Sequence, residues 1–239
     1  MDQKSLIFPI RINRYLAHKG ITTRRGADEL IEKKLVTING VVAKLGDKVS
    51  EKDIIKVDDS VRSNALRTYR YIAYHKPCGV STDVQPGSQS ISSKIPALRG
   101  LFPLGRLDKA SHGLIILTND GRLTERLLSP SHHHEKEYQV RVDKPVTVSF
   151  IRHLERGILI EGYKTKPAKA HRAGETIFHI ILTEGKKHQI RRMCTAEGYQ
   201  VQDLNRTRIM NVRLGTLKEG AYRPIENDEL ATLLKKIGL

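Results

Sequence analysis

The sequence predicts an α+β protein in two parts, a small unit over residues 1–68 and a larger one over residues 69–239. Three observations carry this. The polar stretch Asp58–Thr68 reads as a linker and separates a compact helix, helix, hairpin and strand pattern from the longer C-terminal region. Beyond it, strand runs and helical runs do not alternate regularly, which argues for α+β rather than a doubly wound parallel sheet. No long repeat or low-complexity tract interrupts the 239 residues, a length suited to one large domain or to a small domain joined to a medium one.

Arg11–Lys19 (RINRYLAHK) places Ile12, Tyr15 and Leu16 on one face of a helix, and Thr23 caps a second in which Ala27, Leu30 and Ile31 recur at helical spacing. Leu35–Val42 sets Asn-Gly between two β-prone runs, a strong hairpin signal, and Asp53–Val57 is a further strand. After the linker, Tyr71–His75 opens a series of strands that continues with Gly113–Thr118, Tyr138–Val142, Thr176–Thr183 and Arg208–Leu214. Helices are expected over Gly121–Leu128, Thr147–Arg156, Lys187–Glu197 and Asp228–Ile237.

The charge selects the class of partner. Lys and Arg number 42 against 26 Asp and Glu, a formal +16, and such an excess attracts polyanions whatever their sequence. No apolar run approaches the roughly 18 residues that span a bilayer, and the apolar stretch in Met1–Pro9 is too short for a signal peptide. Nucleic acid is therefore favoured over a membrane. Cys78 and Cys194 stand far apart, which argues against a disulfide scaffold and suits a cytoplasmic protein. Aromatics make up 5% and Trp is absent, so no extended base-stacking platform is expected.

Between Arg11 and Arg25 the chain carries Arg11, Arg14, Lys19, Arg24 and Arg25 and no acid. This is either a phosphate-binding face or an ordinary solvated helix surface. With its element order, RINRYLAHKGITTRRGADELIEKKLVTINGVV resembles the S4-like RNA-binding domain, over roughly residues 7–68. The resemblance implies a small α/β domain that holds structured RNA through its two helices, at Arg11, Arg14, Arg24 and Arg25.

Phe102–Thr118 reads FPLGRLDKASHGLIILT. Asp108 lies between Arg106 and Lys109 in a short connection before a strongly apolar strand, a rigid place for a catalytic carboxylate. An Asp in a basic loop is more often a structural ion pair. In full, however, GRLD followed by SHGLIILT resembles the motif of RNA pseudouridine synthases, in the branch that contains ribosomal small-subunit synthase A and large-subunit synthases B, E and F. His75–Gly79 (HKPCG), Lys136–Val140 (KEYQV) and Gly185–Met193 (GKKHQIRRM) resemble the other motifs of that branch, in the same order. Within the branch, His134–Pro145 and Asn205–Gly215 are most similar to the synthase F type.

The resemblance implies a catalytic domain on a mixed, mainly antiparallel sheet with flanking helices. It implies isomerisation of uridine to pseudouridine in ribosomal RNA, with the 23S molecule favoured and transfer RNA as a side substrate. The reaction breaks an N-glycosidic bond and joins uracil C5 to the same ribose carbon, is redox-neutral and needs no cofactor. Asp108 is then the carboxylate that assists cleavage, as nucleophile or as base at the ribose. Arg191 is its ion-pair partner, Tyr138 stacks on the uracil and Ile190 is pocket wall. The base must be flipped out of its stack. RNA contacts are expected from Arg106, Leu107, Lys109, His188, Gln189, Ile190 and Arg192, with Arg206 and Arg208 in the same basic cleft. A monomer is expected.

His132–His134 invites a metal reading, but the run is short and has no spaced Cys or His partners, so no metal site is expected. Two rivals remain. A non-enzymatic, ribosome-associated S4 protein predicts a degenerate catalytic motif, whereas Asp108, Tyr138 and Arg191 are all present. A transfer-RNA synthetase with an appended S4 domain needs nucleotide-binding signatures that the chain does not display.

Overall fold

The computed structural model describes residues 8–62, 69–82, 91, 95–128 and 133–239. Part of the linker (63–68), the first seven residues and His132 of the histidine run lie outside the described residues. The chain divides into two compact units, one of residues 1–69 with 119–123, the other of 70–118 with 124–239.

In the first unit, β1 (Ile10–Arg11) leads into α1 (Ile12–His18) and α2 (Arg24–Glu32), followed by β2 (Val36–Ile38), β3 (Val41–Val42), β4 (Lys48–Val49) and β5 (Ile55–Val57). Thr23 caps α2 as its position requires, accepting from the Gly26 amide at 3.1 Å. The Asn-Gly turn forms with φ of 52° at Asn39 and 85° at Gly40, left-handed values that a two-residue hairpin demands. Ile12, Leu16, Ala27, Ile31, Val36, Val49 and Val57 make the core. The sequence places a linker at Asp58–Thr68; its first part is instead a one-turn helix, α3 (Asp59–Arg62).

The second unit is built on a nine-stranded sheet. Its strands are β6 (Tyr71–Lys76), β7 (Phe102–Leu104), β8 (His112–Thr118), β9 (Lys136–Val142), β12 (Lys169–Arg172), β13 (Ile177–Leu182), β14 (Val201–Ile209), β15 (Val212–Arg213) and β16 (Tyr222–Pro224). A separate hairpin joins β10 (Leu159–Ile160) to β11 (Tyr163–Lys164). The path runs β12-β13-β9-β14-β8-β6-β16, with β15 beside β14 and β7 beside β8. Among the described strands only β14 and β8 run parallel, so the sheet is mixed and mainly antiparallel. Helices among its described residues include α5 (Val148–Arg156), α6 (Gln189–Ala196) and α7 (Asn227–Lys236), while α4 (Arg122–Leu128) begins in residues 119–123 of the first unit and ends in the second.

Residues Leu114–Leu117 of β8 are buried on both faces, each contributing about 1.5–3 kcal/mol by leaving water. This explains why GLIILT reads as an unbroken apolar run rather than an alternating one. The strand expected at Arg208–Leu214 is misplaced. The central strand is β14, and Met210 turns the chain with φ 52° into the short β15. The polar sequence of β14 (VQDLNRTRI) hides a strand flanked on both sides, because pairing with β9 and β8 outweighs weak intrinsic β preference.

Candidate active site

Asp108 lies in the connection between β7 and β8, and every carbonyl from Arg106 to Ala110 accepts a hydrogen bond from a different place. Arg206 Nη1 donates to Arg106 O (3.3 Å), Thr82 Oγ1 to Leu107 O (3.3 Å) and Ser111 N to Asp108 O (3.0 Å). The Gly79 amide donates to Lys109 O (2.8 Å), and Arg191 Nη2 to Ala110 O (2.9 Å). Leu107 is buried beneath the loop, while Arg106 and Lys109 are exposed. The backbone is thus held at five consecutive positions, and the Asp108 side chain projects from it with 35% of its surface exposed. A carboxylate on so fixed a frame is oriented before any substrate arrives.

Register explains how distant motifs meet. Lys76 of β6 stands opposite Gly113 of β8, Gly113 opposite Arg206 of β14, and Arg206 opposite Tyr138 of β9. Residues from HKPCG, SHG, NRTRI and KEY therefore form one row across four adjacent strands. Gly113, at φ +113°, permits it: a Cβ there would lie 2.4 Å from Asn205 Oδ1 and 2.5 Å from both N and O of Arg206. Lys76 is fully buried, its ammonium donating to Pro77 O (2.7 Å) and Val80 O (2.9 Å). Burial pushes its pKa down to about 8, and the Asp108 carboxylate pulls the other way.

Residues 70–196 match the family model described as RNA pseudouridylate synthase, and residues 10–55 match the S4 domain. The chain belongs to the RNA pseudouridylate synthase family. This synthase is 41% identical over 230 residues to the dual-specificity RNA pseudouridine synthase RluF of Escherichia coli K12, covering 95% of this chain and 79% of that one. It is 33% identical to ribosomal small subunit pseudouridine synthase A of Haemophilus influenzae, covering 95% of this chain and all of the relative. A crystal structure of a pseudouridylate synthase superposes with a TM-score of 0.69 at 30% identity, over 95% of this chain and 99% of that one. These matches favour the enzyme over the non-enzymatic RNA-binding alternative.

Several expected site residues of the synthase make contacts other than those expected of them. No Arg191–Asp108 ion pair forms. Arg191 donates instead to Ala110 O, to Ser111 Oγ (3.3 Å) and to Val201 O (3.2 Å), so it holds the loop rather than its carboxylate. Among the described residues the side chain that approaches the Asp108 carboxylate is His188, whose Nε2 lies 3.5 Å from Oδ1. Arg206 is not in an open basic cleft: it is 2% exposed, donating to Leu114 O (2.7 Å) as well as to Arg106 O. Arg208 is held by Glu137 (2.7 Å) and Glu135 (3.2 Å), whose charges cancel its own.

Gln189 is buried and its amide is spoken for. Its Oε1 accepts from Lys186 N (2.9 Å), and its Nε2 donates to the buried Glu184 (2.6 Å). Ile190 packs in the main core, and Arg192 is paired with Glu161 at 2.6 Å. Tyr138 is half-buried against the same core. In the first unit Arg11, Arg14, Arg24 and Arg25 are all exposed. Sequence reasoning missed Thr82 and Ser111 as anchors of the Asp108 loop, and Lys76 as the buried cation that holds the turn Pro77–Val80. The one available signal was the Lys of HKPCG, a cation in a β-prone run with no neighbouring acid.

Proposed function

We propose that this synthase isomerises uridine in ribosomal RNA of the large subunit, acting as a monomer in the cytoplasm, with a transfer RNA as its second substrate. The observation that carries the reading is the partly exposed Asp108 carboxylate on a loop whose five consecutive carbonyls are all bound. The relative called dual-specificity supports two RNA classes.

Asp108 assists cleavage of the N-glycosidic bond, as nucleophile at the anomeric carbon or as base at the neighbouring ribose carbon. The freed uracil turns and its C5 takes the place of N1 on the ribose. The proton on C5 is then lost and one is gained at N1, so nothing is oxidised and no cofactor enters. Tyr138, in the same register row as Arg206, stacks on the base. Flipping the nucleotide out costs a few kcal/mol, offset by phosphate contacts from the exposed Arg106, Lys109, Lys186 and Lys187. The first unit adds Arg11, Arg14, Arg24 and Arg25 as a clamp on structured RNA.

The test is Asp108→Asn and Asp108→Ala, assayed for pseudouridine formation and for RNA affinity. Turnover is expected to vanish while binding survives, and near-normal turnover by either variant refutes the assignment. Mapping pseudouridines in ribosomal and transfer RNA from cells with and without the gene identifies the target. Loss confined to the small ribosomal subunit would overturn the large-subunit reading.

A further inference from the structure

The turn that precedes α6 holds His188 with φ 52° and ψ 29°. An N-cap residue is ordinarily extended, and a side chain with a Cβ rarely occupies the left-handed region. The turn is not free to relax. Gln189 is clamped between the Lys186 amide and Glu184, which is itself buried and accepts from the Lys166 amide (3.0 Å) and the Tyr163 hydroxyl. In this conformation the imidazole reaches the loop after β7 and brings Nε2 to 3.5 Å from Asp108 Oδ1. At that distance the contact is electrostatic, and a small rotation of the ring makes it a hydrogen bond.

Stability does not explain this arrangement. The His188 side chain is 49% exposed, and a polar contact with a carboxylate so close to water contributes little to folding. A strained backbone over-determined by a buried polar network, next to a carboxylate on a fixed loop, is the kind of outlier found at functional sites. Arg191, the partner expected from the sequence, is engaged by Ala110, Ser111 and Val201.

We infer that His188 is a positioning residue for Asp108: donating from Nε2, it holds Oδ1 and leaves Oδ2 free to face the ribose. The inference rests on the reading of Asp108 as the carboxylate that acts at the ribose.

Two variants separate this from a structural role. His188→Gly removes the ring while suiting the left-handed backbone, so the turn is kept. His188→Gln keeps an N–H donor at similar reach. The full chain is assayed by single-turnover pseudouridine formation on a 23S ribosomal RNA transcript at saturating enzyme, with Kd measured on the same transcript. His188→Gly is expected to lower the rate constant about 30-fold, the scale of a misplaced reacting group, with Kd within about twofold. His188→Gln should recover a large part of the rate, and added imidazole should accelerate the Gly variant but not the wild type. An unchanged rate in His188→Gly overturns the inference. So does a loss confined to Kd and equal in both variants, which places His188 on a phosphate. Asp108→Asn is run alongside. If it is active, the reading of Asp108 falls and this inference with it; if it is inactive beside an unimpaired His188→Gly, only the role of His188 falls.

Discussion

Gly113→Ala tests whether the row Lys76–Gly113–Arg206–Tyr138 depends on a close approach of β8 and β14. The added methyl meets Asn205 Oδ1 at 2.4 Å and the Arg206 backbone at 2.5 Å, distances that real Cβ atoms essentially never show, so β8 and β14 must separate by at least half an ångström. The side chain of Asn205 can rotate away, but the Arg206 backbone cannot retreat freely, because it is also paired to Tyr138 on the far side. Overpacking of this kind costs about 1–3 kcal/mol, and a Cβ at positive φ costs roughly another 1–2 kcal/mol. The sum is roughly 2–5 kcal/mol.

Gly162→Ala is the control. Gly162 turns β10 into β11 at φ +80° with nothing within 4 Å, so its variant bears the cost of backbone conformation alone. Urea unfolding of the full chain is followed by far-UV circular dichroism, since the sequence has no Trp. Gly113→Ala should be the less stable variant by about 1–3 kcal/mol, the overpacking contribution. It should also lower turnover, because Arg206 anchors Arg106 O just before Asp108. Equal destabilisation by the two variants would refute the close-approach argument.

Two further outcomes depend on charge. Lys76 is held at a pKa of about 8 by burial, while an unfolded lysine keeps its proton to about 10.5. Between those values the folded protein releases a proton that the unfolded chain retains, so this residue's contribution to stability rises with pH. Measured against Lys76→Met, the wild type should gain up to about 3 kcal/mol on passing from pH 8 to 10.5, and a flat difference would refute the burial argument. Replacing Arg11, Arg14, Arg24 and Arg25 together by Ala should flatten the dependence of log Kd for RNA on log salt by roughly 3–4, at about 0.7–0.9 per lost phosphate contact. An unchanged slope would remove the first unit from the RNA clamp.

Features that are local or compositional were legible in the chain before it folded. The Thr23 cap, the Asn39–Gly40 turn and the apolar run of β8 each report on a few neighbouring residues, and the structure forms all three. The order of motifs was sufficient to reach the family, because residue type in a short motif reflects the chemistry it supports. The positive charge pointed to nucleic acid as a class of partner, but charge counted along a chain carries no direction. Arg206 and Arg208 scored as part of a basic cleft, yet one is buried on carbonyls and the other neutralised by two glutamates.

Tertiary pairing, not local preference, sets which strand lies at the centre of the sheet, because β14 draws its stability from partners on both sides rather than from its own polar residues. It also sets how the Asp108 loop is held. The anchors Gly79, Thr82, Arg191 and Arg206 come from segments up to about a hundred residues away, and their donors converge on carbonyls that are identical in every sequence. Backbone acceptors leave no mark in the sequence, so the partner that Asp108 meets, His188, emerges only when the chain has folded.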